Sequence, residues 1–408
     1  MIIFYLLIGV MPLSDHPVWG RVVGEVTVVK YIGLVCLLYA VLHLAARRAV
    51  PSFFGTWQAR FFLILYLIAT ISHFTQSLLT SGLFNAFLRY TSFLLLLFIT
   101  VSIVDSVRRL RWVLLVAVGS VAFASLYVIR EWQKYHNVYT DFRPGWVVGD
   151  PNYFTISGLL CLPVAFCFMS EWRTRWERLY CLGCLIVTLV GVTLGASRGG
   201  FLGLVAAFVF VALRSRHRVR NLALASVLVL PLSLISSASP VQRLLHPSHG
   251  DVQGEESRLA LWKAGLRMVQ QHPLRGIGLN NFRPLVGQYE ETGETFLNVA
   301  HNTYLEVAAE TGLPALLAFL AILYFSYRTL EQVRRGTLHS GAMLLHQAAV
   351  GIQAGLVGCA VAIFFVSGQY QKLLWLMVFL SMCLPPLVPV GKTQRGPAET
   401  APVSRGKV

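Results

Sequence analysis

Runs of about 20 apolar residues recur along almost the whole length of this chain, and a run of that length is what an α-helix needs to cross a lipid bilayer. Hydrophobic residues make up 56% of the 408 positions and charged residues 13%. In lipid every backbone polar group must be satisfied within the protein, so the spans must be helices or a closed barrel. Barrel strands would be half as long and would alternate in character. The fold expected is therefore an all-α multispanning membrane protein with about twelve transmembrane helices.

The spans are read near 2–13, 27–46, 61–80, 83–104, 110–129, 153–170, 179–197, 200–213, 221–238, 303–327, 341–366 and 370–390. The first holds only about a dozen apolar residues, short of the roughly 17 a span needs, and no basic stretch precedes it as a signal peptide would require. This divides the chain into nine helices over 1–238, a large outer loop at 239–302, three helices over 303–390 and a polar, disordered tail at 391–408.

Charge orients the spans. Arg47, Arg48 and Arg60, then Arg108, Arg109 and Arg111, then Arg173, Arg175 and Arg178, then Arg214 to Arg220, then Arg328, Arg334 and Arg335, then the tail all fall in alternate loops. Those loops hold 20 of the 34 Lys and Arg against five acidic residues, whereas the other face holds 14 against 13. By the positive-inside rule the basic side is cytoplasmic, with both termini, and the segments 130–152 and 239–302 are periplasmic. The net charge of +16 is thus a topology signal and implies no nucleic-acid partner. All seven cysteines sit in or beside apolar runs. The pair Cys181 and Cys184 reads as packing residues, not as a redox or metal motif.

Function is read from the polar residues that a membrane makes costly. Arg198 stands in GASRGG at the outer end of two spans, where flanking glycines let backbone N–H groups approach an anion. Arg89 and Lys30 also lie near outer ends, where snorkelling to the headgroups competes with ligand binding. In the outer loop, Glu255–Gln271 has helical spacing, with Leu259, Trp262, Leu266 and Val269 on one stripe and Arg258 on the face of Trp262. HPLRGIGLNNF follows, with Gly276 and Gly278 shaping a tight turn. His301 and Asn302 then open a helix at the water–lipid boundary.

A histidine can take a proton from an attacking hydroxyl, and arginines can bind a phosphate and stabilise a departing pyrophosphate. His301 with Arg198 and Arg258 on one face therefore suits group transfer from a pyrophosphate-linked donor. Scattered Asp150, Glu306 and Glu310 offer a divalent metal little to bind.

The order SRGG, RxxxW, HPLRGIGLNNF, HNTYLEVAAETGLP, with PN at Pro151 and Asn152, resembles the O-antigen ligase and polymerase superfamily of envelope glycosyltransferases, and is most like the ligases. The resemblance implies a GT-C-like architecture in the bacterial inner membrane. It also implies an undecaprenyl-pyrophosphate-linked glycan as donor and a lipid A-core acceptor, with His301 as base, Arg198, Arg258, Arg89 and Asn302 toward substrate, and no cofactor. A polymerase of the same superfamily is the alternative, and a lipid-linked-glycan transporter is a reading from another class. One departure from the family pattern is Ala315 where a glycine is usual.

Overall fold

A computed structural model describes residues 1–17, 28–47, 55–76, 81–138, 142–170, 174–214, 249–290, 298–338 and 340–389. The run expected at 221–238, the start of the outer loop and the tail at 391–408 lie outside the described residues. Among the described residues the regular structure is entirely helical.

The helices are α1 (Ile2–Val10), α2 (Val28–Arg47), α3 (Trp57–Gln76), α4 (Ser81–Ile103), α5 (Val107–Tyr135), α6 (Pro151–Ser170), α7 (Arg175–Leu194), α8 (Arg198–Arg214), α9 (His249–Gln271), α10 (Phe282–Leu285), α11 (Thr303–Thr311), α12 (Leu313–Thr337), α13 (Met343–Ala362) and α14 (Lys372–Cys383). Eight of them, α2 to α7, α12 and α13, are long and apolar enough to cross a membrane. The protein is thus a multispanning helical membrane protein. Helices α1 and α14 are apolar but shorter. α14 is buried from Leu373 to Cys383, with Trp375 wedged among Phe62, Phe93 and Phe379, so it packs against protein on every side. By contrast, α2 leaves Leu34, Leu38, Val41 and Leu42 exposed in a stripe suited to lipid.

The core is built where α13 crosses α6 and α8. A Cβ on Gly203 would sit 2.5 Å from the Gly358 carbonyl oxygen, so the two backbones touch where only glycine permits it, as in other small-residue membrane helix pairs.

The basic loops gather at one end of the bundle. There Arg214 at the end of α8 meets Glu331 and Tyr327 of α12, Arg334 and Arg335 also bond Glu331, and Arg111 of α5 pairs with Glu177 of α7. Polar contacts between the opposite helix ends assemble the site described below.

Two expectations change. The segment expected as one span over 303–327 is broken at Gly312, which takes φ +86° and separates the nine-residue α11 from the long α12. Also, α5 continues to Tyr135, so the outer segment 130–152 begins as helix. The outer-loop helix does form and covers the expected Glu255–Gln271 as part of α9. Ala315, the departure from the family pattern, is fully buried, which accords with a packing role.

Candidate active site

Three segments converge at the end of the bundle opposite the basic loops. The first runs from α5 into α6. Asp150 caps α6, its Oδ1 accepting from the backbone N–H of Asn152 at 2.8 Å and Tyr153 at 3.1 Å, with Pro151 preset at the first helical position. Glu131, near the end of α5, accepts from the Gly145 N–H at 2.7 Å and holds the connecting loop. On that loop Arg143 donates to the Gly195 carbonyl through Nε at 3.2 Å and Nη2 at 3.0 Å, and to Asn152 Oδ1 at 3.1 Å. It thereby ties the loop to the turn between α7 and α8.

That turn is the second segment. Ala196 adopts φ +48°, a left-handed conformation uncommon outside glycine, and Ser197 Oγ accepts from the Gly200 N–H at 3.2 Å, capping α8. Arg198 is therefore the first residue of a helix whose N-terminus carries positive dipole charge.

Helix α9 is the third. Arg258 and Trp262 lie one turn apart on it. Trp262 packs edge-on against Phe364, with ring centroids 5.5 Å apart, and donates from Nε1 to the Ala300 carbonyl at 2.9 Å. Where α9 passes α11, Gly265 leaves no room for a Cβ, which would meet Leu305 at 2.9 Å.

A small cleft opens between these segments, lined by Arg143, Asn152, Ala196, Ser197, Arg198, Gly199, Arg258 and Phe365. The two arginines singled out in the sequence share this cleft with a third that sequence reasoning missed. Its signal was faint: a lone arginine in DFRPG, ahead of a capping Asp-Pro. Three arginines and a helix N-terminus around one space are groups that could bind a polyanion.

His301 is not among the residues that line the cleft, but it lies within electrostatic reach of Arg258 and Arg143, which are. Its backbone is left-handed at φ +49°, and its half-buried imidazole is pushed down to about 4 by burial first and then by Arg258, with Arg143 acting in the same direction and Asp150 in the other. It is neutral at pH 7 and able to accept a proton. A half-buried histidine with left-handed backbone and two cations acting on it is a candidate reacting group.

Asn302 is placed differently. It is buried, and its Oδ1 accepts from the Leu305 N–H at 3.1 Å as the N-cap of α11. Its visible task is to start the helix that follows His301. Thr303 locks the same turn to the loop before α14, donating to the Val366 carbonyl at 2.6 Å and accepting from the Gly368 N–H at 2.7 Å. The GIG turn closes the other end of α11: Ile277 and Gly278 N–H groups, each at 2.9 Å, satisfy the Ala309 and Glu310 carbonyls that the helix leaves free. Arg89 does not line the cleft. Its guanidinium lies 5.4 Å above the ring of Tyr370.

With this geometry, the match to a known family falls on the same elements. Residues 182–320 match the O-Antigen ligase family. No individual curated protein matches the chain. The ligase-family segment contains Arg198, Arg258 and His301, and it stops short of α13 and α14, which support it. Arg143 and Asn152 come from the chain before it. The resemblance to the ligase and polymerase superfamily thus rests on the segment that contributes most of the cleft.

Proposed function

We propose that the protein is an O-antigen ligase, a glycosyltransferase moving a glycan from undecaprenyl pyrophosphate to a sugar hydroxyl of lipid A-core at the periplasmic face of the bacterial inner membrane. The observation that carries this reading is the meeting of Arg198 and Arg258, with Arg143, in one cleft beside a neutral His301. The scaffold would be GT-C-like with about twelve spans, and both termini cytoplasmic.

In this reaction the acceptor oxygen forms a bond to the anomeric carbon while the bond from that carbon to the pyrophosphate oxygen breaks. The electron pair leaves with undecaprenyl pyrophosphate, and His301 takes the hydroxyl proton. The arginines stabilise the charge that grows on the leaving group. Bound pyrophosphate would offset the arginines acting on His301 and raise its basicity, so the base becomes effective when donor is present. A single in-line attack inverts the anomeric configuration. The residues named supply the base and the stabilisation of the leaving group, so the reaction is proposed to be metal-independent.

The test is transfer by purified protein in detergent, with undecaprenyl-pyrophosphate glycan, rough lipopolysaccharide and a chelator. Glycan-bearing lipid A-core supports the ligase. Ladders of donor length without use of the acceptor would assign the same site to a polymerase, and neither product would overturn transfer altogether.

A further inference from the structure

In the helix that follows His301, two carboxyl groups are buried one turn apart. Glu306 and Glu310 of α11 are 3% and 2% exposed. One amide bridges them, Gln369 Nε2 donating to Glu306 Oε1 and to Glu310 Oε2, each at 3.1 Å. The Tyr90 hydroxyl of α4 donates to the other end of that amide, Gln369 Oε1, at 3.2 Å, which keeps its NH2 toward the pair. The remaining two oxygens are also met. Ser367 Oγ touches Glu306 Oε2, and the Phe282 N–H donates to Glu310 Oε1 at 3.4 Å. Among the described residues no cation bonds either carboxyl group.

Two ionised carboxylates on one neutral amide, out of water and without a cation, repel each other strongly, and a single proton removes that repulsion. The partners differ in what they can do with a proton. Three of the four oxygens meet N–H groups, which only donate, whereas Glu306 Oε2 meets a hydroxyl, which can also accept. The other titratable groups near the pair are Tyr90, Tyr153 of α6 and Tyr370, phenols that are neutral at pH 7. From α3, the Ser72 hydroxyl donates to the Glu310 backbone carbonyl at 2.8 Å, while His73 beside it stacks on Phe87. Arg89 of α4 lies over the Tyr370 ring.

Ser367 and Gln369 belong to the segment between α13 and α14, and that segment reaches the cleft. Its Phe365 lines the cleft, and its Phe364 packs on Trp262 of α9. Thr303 already pins the segment at Val366 and Gly368. The carboxyl pair is a further tie between the same two pieces of chain, one and two turns along α11 from Thr303.

We propose that Glu306, Glu310 and Gln369 are positioning residues that hold one proton, carried on Glu306 and directed at Ser367, and that in this state they lock the Phe365 segment to α11 and so keep the cleft in register with His301. Release of that proton to solvent leaves two anions on one amide and loosens the lock. The effect on transfer rests on the function proposed above, whereas the held proton does not.

The experiment records infrared spectra of the full-length protein in nanodiscs and follows transfer against pH. At neutral pH wild type is expected to show the C=O stretch of a protonated carboxyl group, shifted by exchange into heavy water. Glu306→Gln loses that band, and Ser367→Ala moves it, because the carboxyl O–H has lost its acceptor. Equal spectra in wild type and Glu306→Gln overturn the held proton, and a band that Ser367→Ala leaves unmoved overturns its place on Glu306. Raising the pH to about 9, where buried glutamic acids lose their proton, is expected to remove the wild-type band and to lower wild-type transfer about tenfold. The fall is much smaller in Glu306→Gln, whose amide stays neutral, and a fall of equal size in both overturns the lock. The loss of the wild-type band with rising pH needs no variant to fold. Wild type without transfer at any pH counts against the function proposed above, and the infrared arm still decides the proton.

Discussion

Trp262 Nε1 donates to the carbonyl of Ala300 at 2.9 Å, so the helix that carries Arg258 also fixes the backbone immediately before His301. A clamp residue and the proposed base are thereby held by one element, although 43 positions separate them in the chain. The same indole packs on Phe364, whose neighbour Phe365 lines the cleft.

Trp262→Phe keeps most of the ring packing and removes the hydrogen bond. A bond of this kind contributes about 1 kcal/mol. Turnover is expected to fall roughly fivefold with a small change in thermal unfolding temperature. An unchanged turnover would show that Ala300 is held without the indole.

His301→Ala should lower turnover by about 10²–10⁴ while the protein still inserts and folds, the range for loss of a general base. Measured activity in this variant close to wild type would remove His301 from the mechanism.

The acid limb of the pH profile follows from the environment of His301. Burial and Arg258 hold it at about 4 in the free protein, below the ordinary 6.5. The base works when neutral, so kcat/KM should hold through pH 6 and fall only as the pH approaches about 4. With donor bound, the added negative charge favours the imidazolium, so kcat should fall at a higher pH than kcat/KM. The same depression makes the neutral form a source of stability that is complete above 6.5 and is lost as pH falls toward 4. Coincident limbs near 6.5 would contradict the electrostatics described.

Arg143→Lys tests the third guanidinium. Lysine keeps the charge but cannot reach the Gly195 carbonyl and Asn152 together through a rigid fork. Donor KM is expected to rise about tenfold, with Arg143→Ala worse. Equal kinetics for Lys and wild type would mean that charge alone matters.

Gly276 and Gly341 form a matched pair for stability. Both have positive φ, +67° and +70°, but a Cβ on Gly276 would lie 2.3 Å from the Glu310 backbone, whereas Gly341 faces open space. Gly341→Ala should cost roughly 1 kcal/mol from backbone strain alone. Gly276→Ala adds an overpacking cost of roughly 1–3 kcal/mol and should loosen α11. Equal losses in thermal unfolding would rule out the contact between the GIG turn and α11 as a source of stability.

By itself, the amino-acid sequence determined that this is a multispanning helical membrane protein, where most of its helices lie, and that Arg198, Arg258 and His301 are the residues to examine. These are local properties: an apolar run has no hydrogen-bonding choice in lipid but helix, and a costly charge at a helix mouth stands out in any window. The break of α11 from α12 at Gly312 has a local signal in the glycine and Pro314, but only the tertiary structure shows what it serves: the Leu274 carbonyl oxygen lies 2.4 Å from where a Cβ on Gly312 would sit. Tertiary structure also recruited Arg143 through Gly195, turned Asn302 into a buried cap and set Arg89 beside Tyr370 and Lys372, away from the cleft. Each of these depends on which distant backbone comes to rest against the residue, and that is settled by close packing among helices far apart in the chain.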